Sequence, residues 1–379
     1  IIYKNSCIPV RIKNRKLHMK RFITLASGAV LSCASASSAF AQSTVTLYGV
    51  LDNGFVYQSS GGNNSAIRAV PGGLFSTRYG LKGSEDIGSG LHVNFQLEQA
   101  FSGQTGAATN PAEAFNRLAY VGLSGGFGEV RFGLQNSPQY DVLQAAMDPS
   151  WVKSIASPMN NFNSLIIRAN NGISYYTPTF GGLNAKFMVA LRDGSTSTGS
   201  GIGFYNAVLQ YINGPLNVAA GYERGDEPGV GAGGSYALAG GAAAGPGAVL
   251  SVFNAGASYV IGSNRIWLAY HTENLTNTPK YMQHDVYQIS DSYQIDPYSL
   301  LSVMYGYLHD RTGKGNDAQE LGLLFEYSLS KSTELYTAAG FMQNKNQAAY
   351  TLSGTAYSGL AITPGTNNRG IGVGLVHKF

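Results

Sequence analysis

The sequence predicts an all-β protein, a 16-stranded antiparallel transmembrane β-barrel. Apolar and polar residues alternate in residues 91–98 (LHVNFQLE), and the same pattern recurs over 321–329 (LGLLFEYSL). Successive side chains of a strand point to opposite faces, so such stretches have one apolar and one polar face. Beyond residue 41 the chain has no apolar run of 18 residues. Stretches of about ten alternating residues therefore indicate a barrel with lipid outside and water inside.

Composition separates this barrel from a soluble β-sandwich, which also alternates. A sandwich needs a charged exterior, whereas only 12% of these residues are charged. The chain also has 24 tyrosines and 49 glycines. Tyrosines suit the aromatic girdles of a membrane barrel, and small residues suit a tightly curved wall.

The first 41 residues have the pattern of an export signal behind an extra segment. Residues 1–18 are expected to be an upstream, non-native or over-extended start, and residues 19–41 a signal peptide. Met19 is followed by Lys20-Arg21, an apolar run over 22–33 and the A-x-A site 39–41. A transmembrane helix is the alternative, but spanning takes about 20 apolar residues. The barrel is expected to occupy residues 42–379.

Charge and cysteine content change once this leader is set aside. It holds seven of the 25 basic residues and no acid, which leaves 18 bases against 21 acids, a net charge near −3. The basic pI therefore gives no reason to expect a nucleic-acid partner. Cys7 and Cys33 both lie in the leader, so residues 42–379 can form no disulfide.

The spacing of turns and loops gives the strand number. Seven short turns alternate with eight longer, polar or glycine-rich loops, and these 15 connections join 16 strands. The predicted turns are 84–88, 125–128, 179–182, 213–215, 261–264, 295–297 and 330–332. The predicted loops are 59–74, 102–114, 135–165, 193–203, 226–247, 274–280, 311–317 and 345–367. Short turns are expected on the periplasmic side and long loops outside. A barrel of 16 strands encloses an aqueous channel.

Four segments resemble the general diffusion porins of β-proteobacteria, a Gram-negative family. They are residues 45–52 (VTLYGVLD), 78–88 (RYGLKGSEDIG), 116–123 (NRLAYVGL) and 374–379 (GLVHKF). The resemblance covers the whole of 42–379. It implies a homotrimer that spans the outer membrane several times, in contact with lipid and lipopolysaccharide, and a third external loop folded inward. It also implies passive passage of ions and small hydrophilic solutes through an eyelet whose charges set size and charge selectivity.

The chain departs from similar porins at one lumen position and shares their carboxyl-terminal aromatic residue. Similar porins carry Gly-Arg-Gln where this chain has Gly133-Leu134-Gln135, so one lumen arginine is missing. In similar proteins a carboxyl-terminal aromatic, here Phe379, is the signal read by the barrel-assembly machinery. A simple girdle aromatic is the alternative role for Phe379, and the two are compatible.

The candidate site consists of charges that strand alternation sends into the lumen. Tyr79 and Leu81 are assigned outward, as are Leu118 with Tyr120 and Val130 with Phe132, and Ile167 and Ile173 flank position 168. The inward set is then Arg78, Lys82, Arg117, Arg131 and Arg168. The longest loop, 135–165, supplies the opposing acids Asp141 and Asp148. An arginine row facing acids would select solutes by charge and size, with a modest anion preference. Alternatively, the arginines are merely solvated, or pair with Glu98 or Glu129.

An enzyme is not expected, and no cofactor or metal is assigned. The histidines after the leader are scattered over five predicted strands, and none is assigned to a metal-ligand pair on one face: His92, His271, His284, His309 and His377. A substrate-specific channel or an adhesin is the more serious alternative. Specific sugar channels line their pores with aromatic tracks, whereas the inward Tyr48 and Tyr336 are read as isolated.

Overall fold

A computed structural model describes residues 44–61, 64–163, 165–192, 201–226, 247–277 and 282–379. The predicted upstream segment and signal peptide, residues 1–41, lie outside the described residues. So do Gln42 and Ser43 and large parts of the predicted loops 193–203, 226–247 and 274–280. Among the described residues, no helix is long and apolar enough to cross a membrane.

The described chain is a closed antiparallel sheet with two short helices inside it. The strands are β1 (Thr44–Ser60), β2 (Asn64–Pro71), β3 (Arg78–Gly88), β4 (Leu91–Ala100), β5 (Leu118–Gly125), β6 (Gly128–Asn136), β7 (Arg168–Tyr176), β8 (Leu183–Leu191), β9 (Ile202–Asn213), β10 (Leu216–Asp226), β11 (Val249–Ile261), β12 (Asn264–Thr276), β13 (Met282–Asp296), β14 (Ser299–Asp310), β15 (Ala318–Ser328), β16 (Thr333–Asn344) and β17 (Asn368–Lys378). The helices are α1 (Pro138–Met147) and α2 (Pro158–Phe162). β1 pairs with both β2 and β3, each strand from β3 onward pairs with the next, and β1 pairs with β17 to close the barrel.

The predicted number of 16 wall strands is confirmed, because β2 and β3 together form one interrupted wall strand. Both pair with the same edge of β1: β2 with residues 53–60 and β3 with residues 44–50. Between them, residues 72–77 leave the wall. The carboxylate of Asp52 holds this excursion, because its Oδ2 accepts from the backbone N–H groups of Leu74 and Phe75 at 2.8 and 2.7 Å.

Two predicted connections were wrong in position. The expected loop 59–74 is mostly strand, since β2 (Asn64–Pro71) pairs antiparallel with residues 53–60 of β1. The expected turn 84–88 lies within β3, and the chain reverses at Ser89-Gly90, where both residues have positive φ. The other six predicted turns all lie where consecutive strands are joined.

The two faces of the wall follow the alternation. On β15, Leu321 is 49% exposed on the outer surface, whereas Leu324 on the opposite face is fully buried. The last strand presents Ile371, Val373 and Leu375 outward, and Phe379, the residue after it, is also exposed. Backbone hydrogen bonds in both directions between Phe379 and Gly49, at 2.9 and 3.1 Å, fasten the carboxyl end to β1. An apolar outer surface is what hydrocarbon requires of a barrel.

The buried core lies inside the barrel, where the connection between β6 and β7 folds inward. This third loop, residues 137–167, contains α1 and α2 and packs its apolar side chains against inward residues of the wall. Ser137 caps α1, because its hydroxyl accepts from the backbone N–H of Tyr140 at 3.3 Å, and Pro138 follows as a favourable first residue. The expected inward fold of the third loop is thus present.

Inward glycines allow the third loop to lie directly on the wall. A Cβ built on Gly322 of β15 would come within 1.8 Å of the Ala156 carbonyl oxygen. A Cβ on Gly306 of β14 would come within 2.2 Å of the Pro158 ring. The loop is therefore held against β14 and β15, and open space remains between the loop and the opposite wall.

Candidate functional site

That space is a polar cavity of about 330 Å³ between the third loop and strands β1 and β3–β6. We call it the arginine cavity. Its lining residues are Tyr48, Ser76, Arg78, Gln96, Glu98, Arg117, Leu118, Tyr120, Arg131, Gln135, Asn136, Tyr140, Asp141, Gln144, Trp151, Lys153 and Thr355. The cavity thus brings together three of the five predicted wall cations and one of the two predicted loop acids.

Glu98 on β4 organises one side of the arginine cavity. Its Oε2 lies 3.1 Å from Arg78 Nε and its Oε1 lies 2.5 Å from Arg117 Nε. The Tyr48 hydroxyl donates to Oε2 at 2.9 Å. Glu98 is only 4% exposed, so these charge-assisted hydrogen bonds fix both guanidinium groups. One carboxylate against two arginines leaves one positive charge over.

Arg131 on β6 lies on the next part of the wall. Its Nη2 donates to Glu129 Oε2 at 2.7 Å. Its guanidinium carbon lies 4.9 Å from the ring centre of Tyr120 and 4.3 Å from that of Tyr176. Ring faces attract cations, so the two tyrosines hold the guanidinium without cancelling its charge. The arginines thus do pair with Glu98 and Glu129, as the alternative predicted, and they also line the lumen.

The outward assignment of Leu118 and Tyr120 was wrong. Both line the arginine cavity, and the Tyr120 hydroxyl donates to Gln96 Oε1 at 2.9 Å. Arg117 nevertheless points inward, because it precedes β5 and the alternation of that strand does not apply to it. Tyr48 is also not isolated, since it shares this cavity with Tyr120 and Tyr140. An apolar or aromatic residue can line a polar lumen, so the apolar character of Leu118 and Tyr120 did not show which face of β5 is outward.

Arg168 and Lys82 are not among the cavity-lining residues. Arg168, the first residue of β7, donates from Nε to Asn136 Oδ1 at 3.3 Å, and Asn136 in turn donates to Asp141 Oδ1 at 2.8 Å. Arg168 is thereby coupled to the rim of the cavity. Lys82 extends over the ring of Tyr48, with Nζ 5.3 Å from its centre.

Asp148 does not face the arginines, which corrects the expectation that it is an eyelet acid. It is 1% exposed, and its Oδ1 accepts from the backbone N–H groups of Ser150 and Val152 at 2.7 and 3.2 Å. Its Oδ2 accepts from Ser157 Oγ and from Gln288 Nε2 on β13, both at 2.7 Å. Asp148 thus fixes the bend of the third loop. Loop length predicted that acids would enter the lumen, but not which way each would point.

Lys153 is a cavity residue that the sequence reading missed. Its Nζ lies 5.2 Å from the ring centre of Phe75 and 5.4 Å from that of Trp151. Trp151 and Val152 have φ values of 61° and 56°, a conformation that costs energy in residues other than glycine. This strained bend turns Trp151 and Lys153 into the cavity. The available signal was that Lys153 is the sole basic residue of the predicted loop 135–165.

The electrostatics of the third loop reflect these neighbours. Burial lowers the pKa of Lys153 below its ordinary value, and Arg78 and Arg117 act in the same direction. Burial opposes ionisation of the Tyr140 phenol, but the positive charges of Lys153, Arg117 and Arg168 prevail and lower its pKa to about 8. The lowered pKa of this phenol indicates a positive electrostatic potential in the cavity. That sign agrees with the lining, which contains four cations and the two acids Glu98 and Asp141.

A second cluster contradicts the reading that no histidine shares a face with another metal ligand. His271 and Glu273 lie two residues apart on β12 and point inward together, and His284 on β13 is the register partner of Glu273. All three are buried. The sequence signal was the H-x-E spacing, which in a strand places two ligands on one face.

One run, residues 122–126 (GLSGG), has the spacing of a hydrolase nucleophile. That motif requires a sharp strand-to-helix turn. Here the run ends β5 and enters the turn to β6, and Ser124 Oγ accepts from Asn94 Nδ2 at 2.9 Å. The local geometry is that of a β-hairpin.

Comparison with known proteins agrees with this architecture. The family model described as Gram-negative porin matches residues 26–347. Outer membrane porin protein 32 of Delftia acidovorans is 30% identical over 362 residues, which is 91% of this chain and 97% of that protein. Major outer membrane protein P.IB of Neisseria meningitidis serogroup B is 28% identical over 89% of this chain and 95% of its own length.

The structural comparison points the same way. The anion-selective porin from Comamonas acidovorans superposes with a TM-score of 0.73 at 28% identity, covering 89% of this chain and all of that one. The chain therefore belongs to the Gram-negative porin family: it is an outer-membrane β-barrel that forms a channel for passive diffusion of solutes, and it is not an enzyme.

Proposed function

We propose that the arginine cavity is the selectivity eyelet of this porin and that it favours small anions. The observation that carries the proposal is the excess of fixed positive charge: Arg78, Arg117, Arg131 and Lys153 line the cavity together with the acids Glu98 and Asp141, and Glu129 pairs with Arg131 from outside this lining. Arg168 and Lys82 add positive charge nearby. A relative named for anion selectivity supports the same direction.

The mechanism is electrostatic and needs no energy input. A passing anion exchanges part of its hydration for the guanidinium and ammonium groups, while a cation meets a repulsive potential. Glu98 fixes the guanidinium groups of Arg78 and Arg117, and Tyr120 and Tyr176 fix that of Arg131. The positive charges are therefore in place before an ion enters, and no side chain has to move to create the electric field. Residues of the third loop limit the width of the passage, which makes size the second criterion.

The test is the reversal potential of single channels in a planar bilayer under a salt gradient. Replacing Arg78 and Arg117 with Ser should shift the reversal potential toward cations, because Glu98 then loses both basic partners. Conductance should rise as the passage widens. Replacing Arg311 and Arg369 with Ser is the matched control, because it removes the same net charge away from the cavity. Equal shifts in the two double variants would refute the eyelet assignment.

We also propose that the porin assembles as a homotrimer in contact with outer-membrane lipid and lipopolysaccharide. In support, β1, β15, β16 and β17 form an outward apolar groove of about 620 Å³ whose lining includes Phe55, Leu335 and Val373. Such a concave apolar surface suits a neighbouring barrel. Light scattering of detergent-extracted protein and electrophoresis without heating should give a trimer, and a monomer in both measurements would count against this assembly.

Phe379 is further proposed as a recognition signal for the barrel-assembly machinery. It is exposed at the outer surface and its ring covers Gly49. A Phe379→Ala variant should reach the outer membrane in reduced amount, whereas Phe180→Ala, which removes another exposed aromatic, should not. Equal amounts of both variants would leave Phe379 with a girdle role alone.

A further inference from the structure

The histidine and glutamate cluster on β12 and β13 lies outside the arginine cavity and shares none of its lining residues. His271 and Glu273 alternate onto the inner face of β12, and His284 faces Glu273 across the ladder. Their exposed fractions are 0%, 0% and 3%. The cluster lies against the end of α2, because His284 Nε2 is 2.9 Å from the carbonyl oxygen of Phe162.

The spacing of the three groups fits a metal ion. His271 Nε2 lies 3.1 Å from Glu273 Oε2, and His284 Nδ1 lies 3.4 Å from Glu273 Oε1. One ligand atom from each residue lies within 4.8 Å of the others. In a tetrahedral site with bonds of about 2.0–2.2 Å, ligand atoms are about 3.3 Å apart. Each imidazole nitrogen thus lies at about ligand spacing from one oxygen of the Glu273 carboxylate.

A hydrogen bond on the far side of each imidazole ring determines that the nitrogen beside the Glu273 carboxylate carries the lone pair. A carbonyl oxygen only accepts, so His284 Nε2 must donate to Phe162, and in the neutral ring Nδ1 then carries the lone pair. On His271, Nδ1 lies 2.8 Å from Asn254 Oδ1, while the amide nitrogen of Asn254 donates to Gln139 Oε1 at 2.9 Å. His271 Nδ1 therefore donates, and Nε2 carries the lone pair.

Two imidazole lone pairs that face one carboxylate require a cation between them, which is either a proton or a metal ion. We propose that a divalent transition-metal ion, with Zn²⁺ the best match, binds His271 Nε2, His284 Nδ1 and the Glu273 carboxylate. Two imidazoles and one carboxylate are a known zinc donor set. Asn254 and the Phe162 carbonyl supply the outer hydrogen bonds that fix ring orientation in metal sites.

Such an ion would tie the third loop to the wall. It would hold His284 in the tautomer that donates to Phe162, and Asn254 would link His271 to Gln139 of α1. Both helices of the loop are thus joined to one centre on β11–β13. The ion would stabilise the inward position of the loop without contacting the permeating solute.

Metal content measured on the intact porin in detergent tests the site. The protein as purified should contain about one zinc per chain by mass spectrometry. After chelation it should take up one Co²⁺ with the intense visible bands of a tetrahedral site. Glu273→Gln and His284→Asn should each weaken Co²⁺ binding at least tenfold, as losses in metal sites commonly do. His309→Asn, at a more exposed histidine on β14, is the matched control and should bind like the wild type.

Unheated electrophoresis should first show that each variant forms a barrel. Should one ligand variant fail to fold, the other variant and the wild-type Co²⁺ spectrum still decide the question. Wild-type protein that carries no stoichiometric metal and takes up no Co²⁺ would overturn the proposal in favour of protonated histidines paired with Glu273. Binding that is equal in wild type, ligand variants and control would overturn it as well. Neither outcome bears on anion selectivity, so this inference and the eyelet proposal fail separately.

Discussion

At the scale of single residues, Glu98 determines how positive the arginine cavity is. It neutralises only one of the two guanidinium groups that it holds, and it keeps both in the lumen rather than in contact with loop acids. The negative charge of Glu98 reduces the anion preference, while its hydrogen bonds fix Arg78 and Arg117, which produce that preference. These two effects can be separated by removing the charge while keeping the shape.

We expect Glu98→Gln to strengthen the anion preference, because the cavity then gains one net positive charge. The variant should also unfold more easily, since hydrogen bonds to charged groups contribute about 1.5–3 kcal/mol. Reversal potentials and thermal unfolding in detergent measure the two effects. Glu85→Gln makes the same charge change at an exposed site outside the cavity, and it should alter neither the anion preference nor the stability. A cation shift in Glu98→Gln would contradict the eyelet assignment.

Tyr140 gives the channel a pH dependence. Its phenol is neutral below its pKa of about 8 and negative above it. Ionisation at higher pH therefore subtracts one positive charge from the cavity, and loss of the Lys153 proton acts in the same direction. The anion preference should fall as pH rises from 7 to 9.

Reversal potentials at several pH values in Tyr140→Phe provide the check. The change near pH 8 that belongs to the phenol should vanish in this variant, while any decline that comes from Lys153 should remain. Tyr205→Phe removes an outward-facing hydroxyl and should keep the wild-type profile. If Tyr140→Phe retained the full change, another group would have to be responsible.

At the scale of elements, the third loop depends on glycines that face it from the wall. Replacing Gly322 with Ala would place a methyl carbon 1.8 Å from the Ala156 carbonyl oxygen, whereas even a close C···O contact is about 3.3 Å. The loop must move away from β15, toward the arginine cavity. We expect lower single-channel conductance and a loss of about 1–3 kcal/mol from overpacking.

Gly126→Ala is the matched control, because a Cβ there meets no atom within 4 Å. Single-channel conductance and thermal unfolding of the two variants should differ. Unchanged conductance in Gly322→Ala would mean that the loop does not bound the conducting path.

The number of strands could be predicted from the sequence, but the orientation of several side chains could not. Alternation and turn chemistry predicted the strand count, because one face must meet lipid and each reversal needs particular residues. The same rule failed at Leu118 and Tyr120, where packing against the third loop puts apolar atoms in the lumen. It could not orient Asp148 either, since that direction depends on Gln288, 140 residues later. The spacing of His271 and Glu273 could have predicted that both lie on one face of β12. That His284 lies opposite Glu273 could be known only from the register of β12 and β13.

At the scale of the whole molecule, overall charge and cavity charge have opposite signs. Residues 42–379 carry a net charge near −3, while the described lining of the arginine cavity has two more cations than acids. Selectivity set by the whole barrel would favour cations, and selectivity set by the cavity would favour anions. Screening distinguishes the two, because the Debye length is about 10 Å at 0.1 M salt and about 3 Å at 1 M.

We therefore expect an anion preference that is strongest in dilute salt and weakens without changing sign as salt rises to 1 M. Charges within a few ångströms of the ion still act at 1 M, whereas the effect of distant surface acids decreases as the Debye length shortens. Reversal potentials at a constant salt ratio and increasing mean concentration give the measurement. A cation preference in dilute salt that reverses in concentrated salt would show that distant acids dominate, and the local network around Glu98 could then not be the selectivity element.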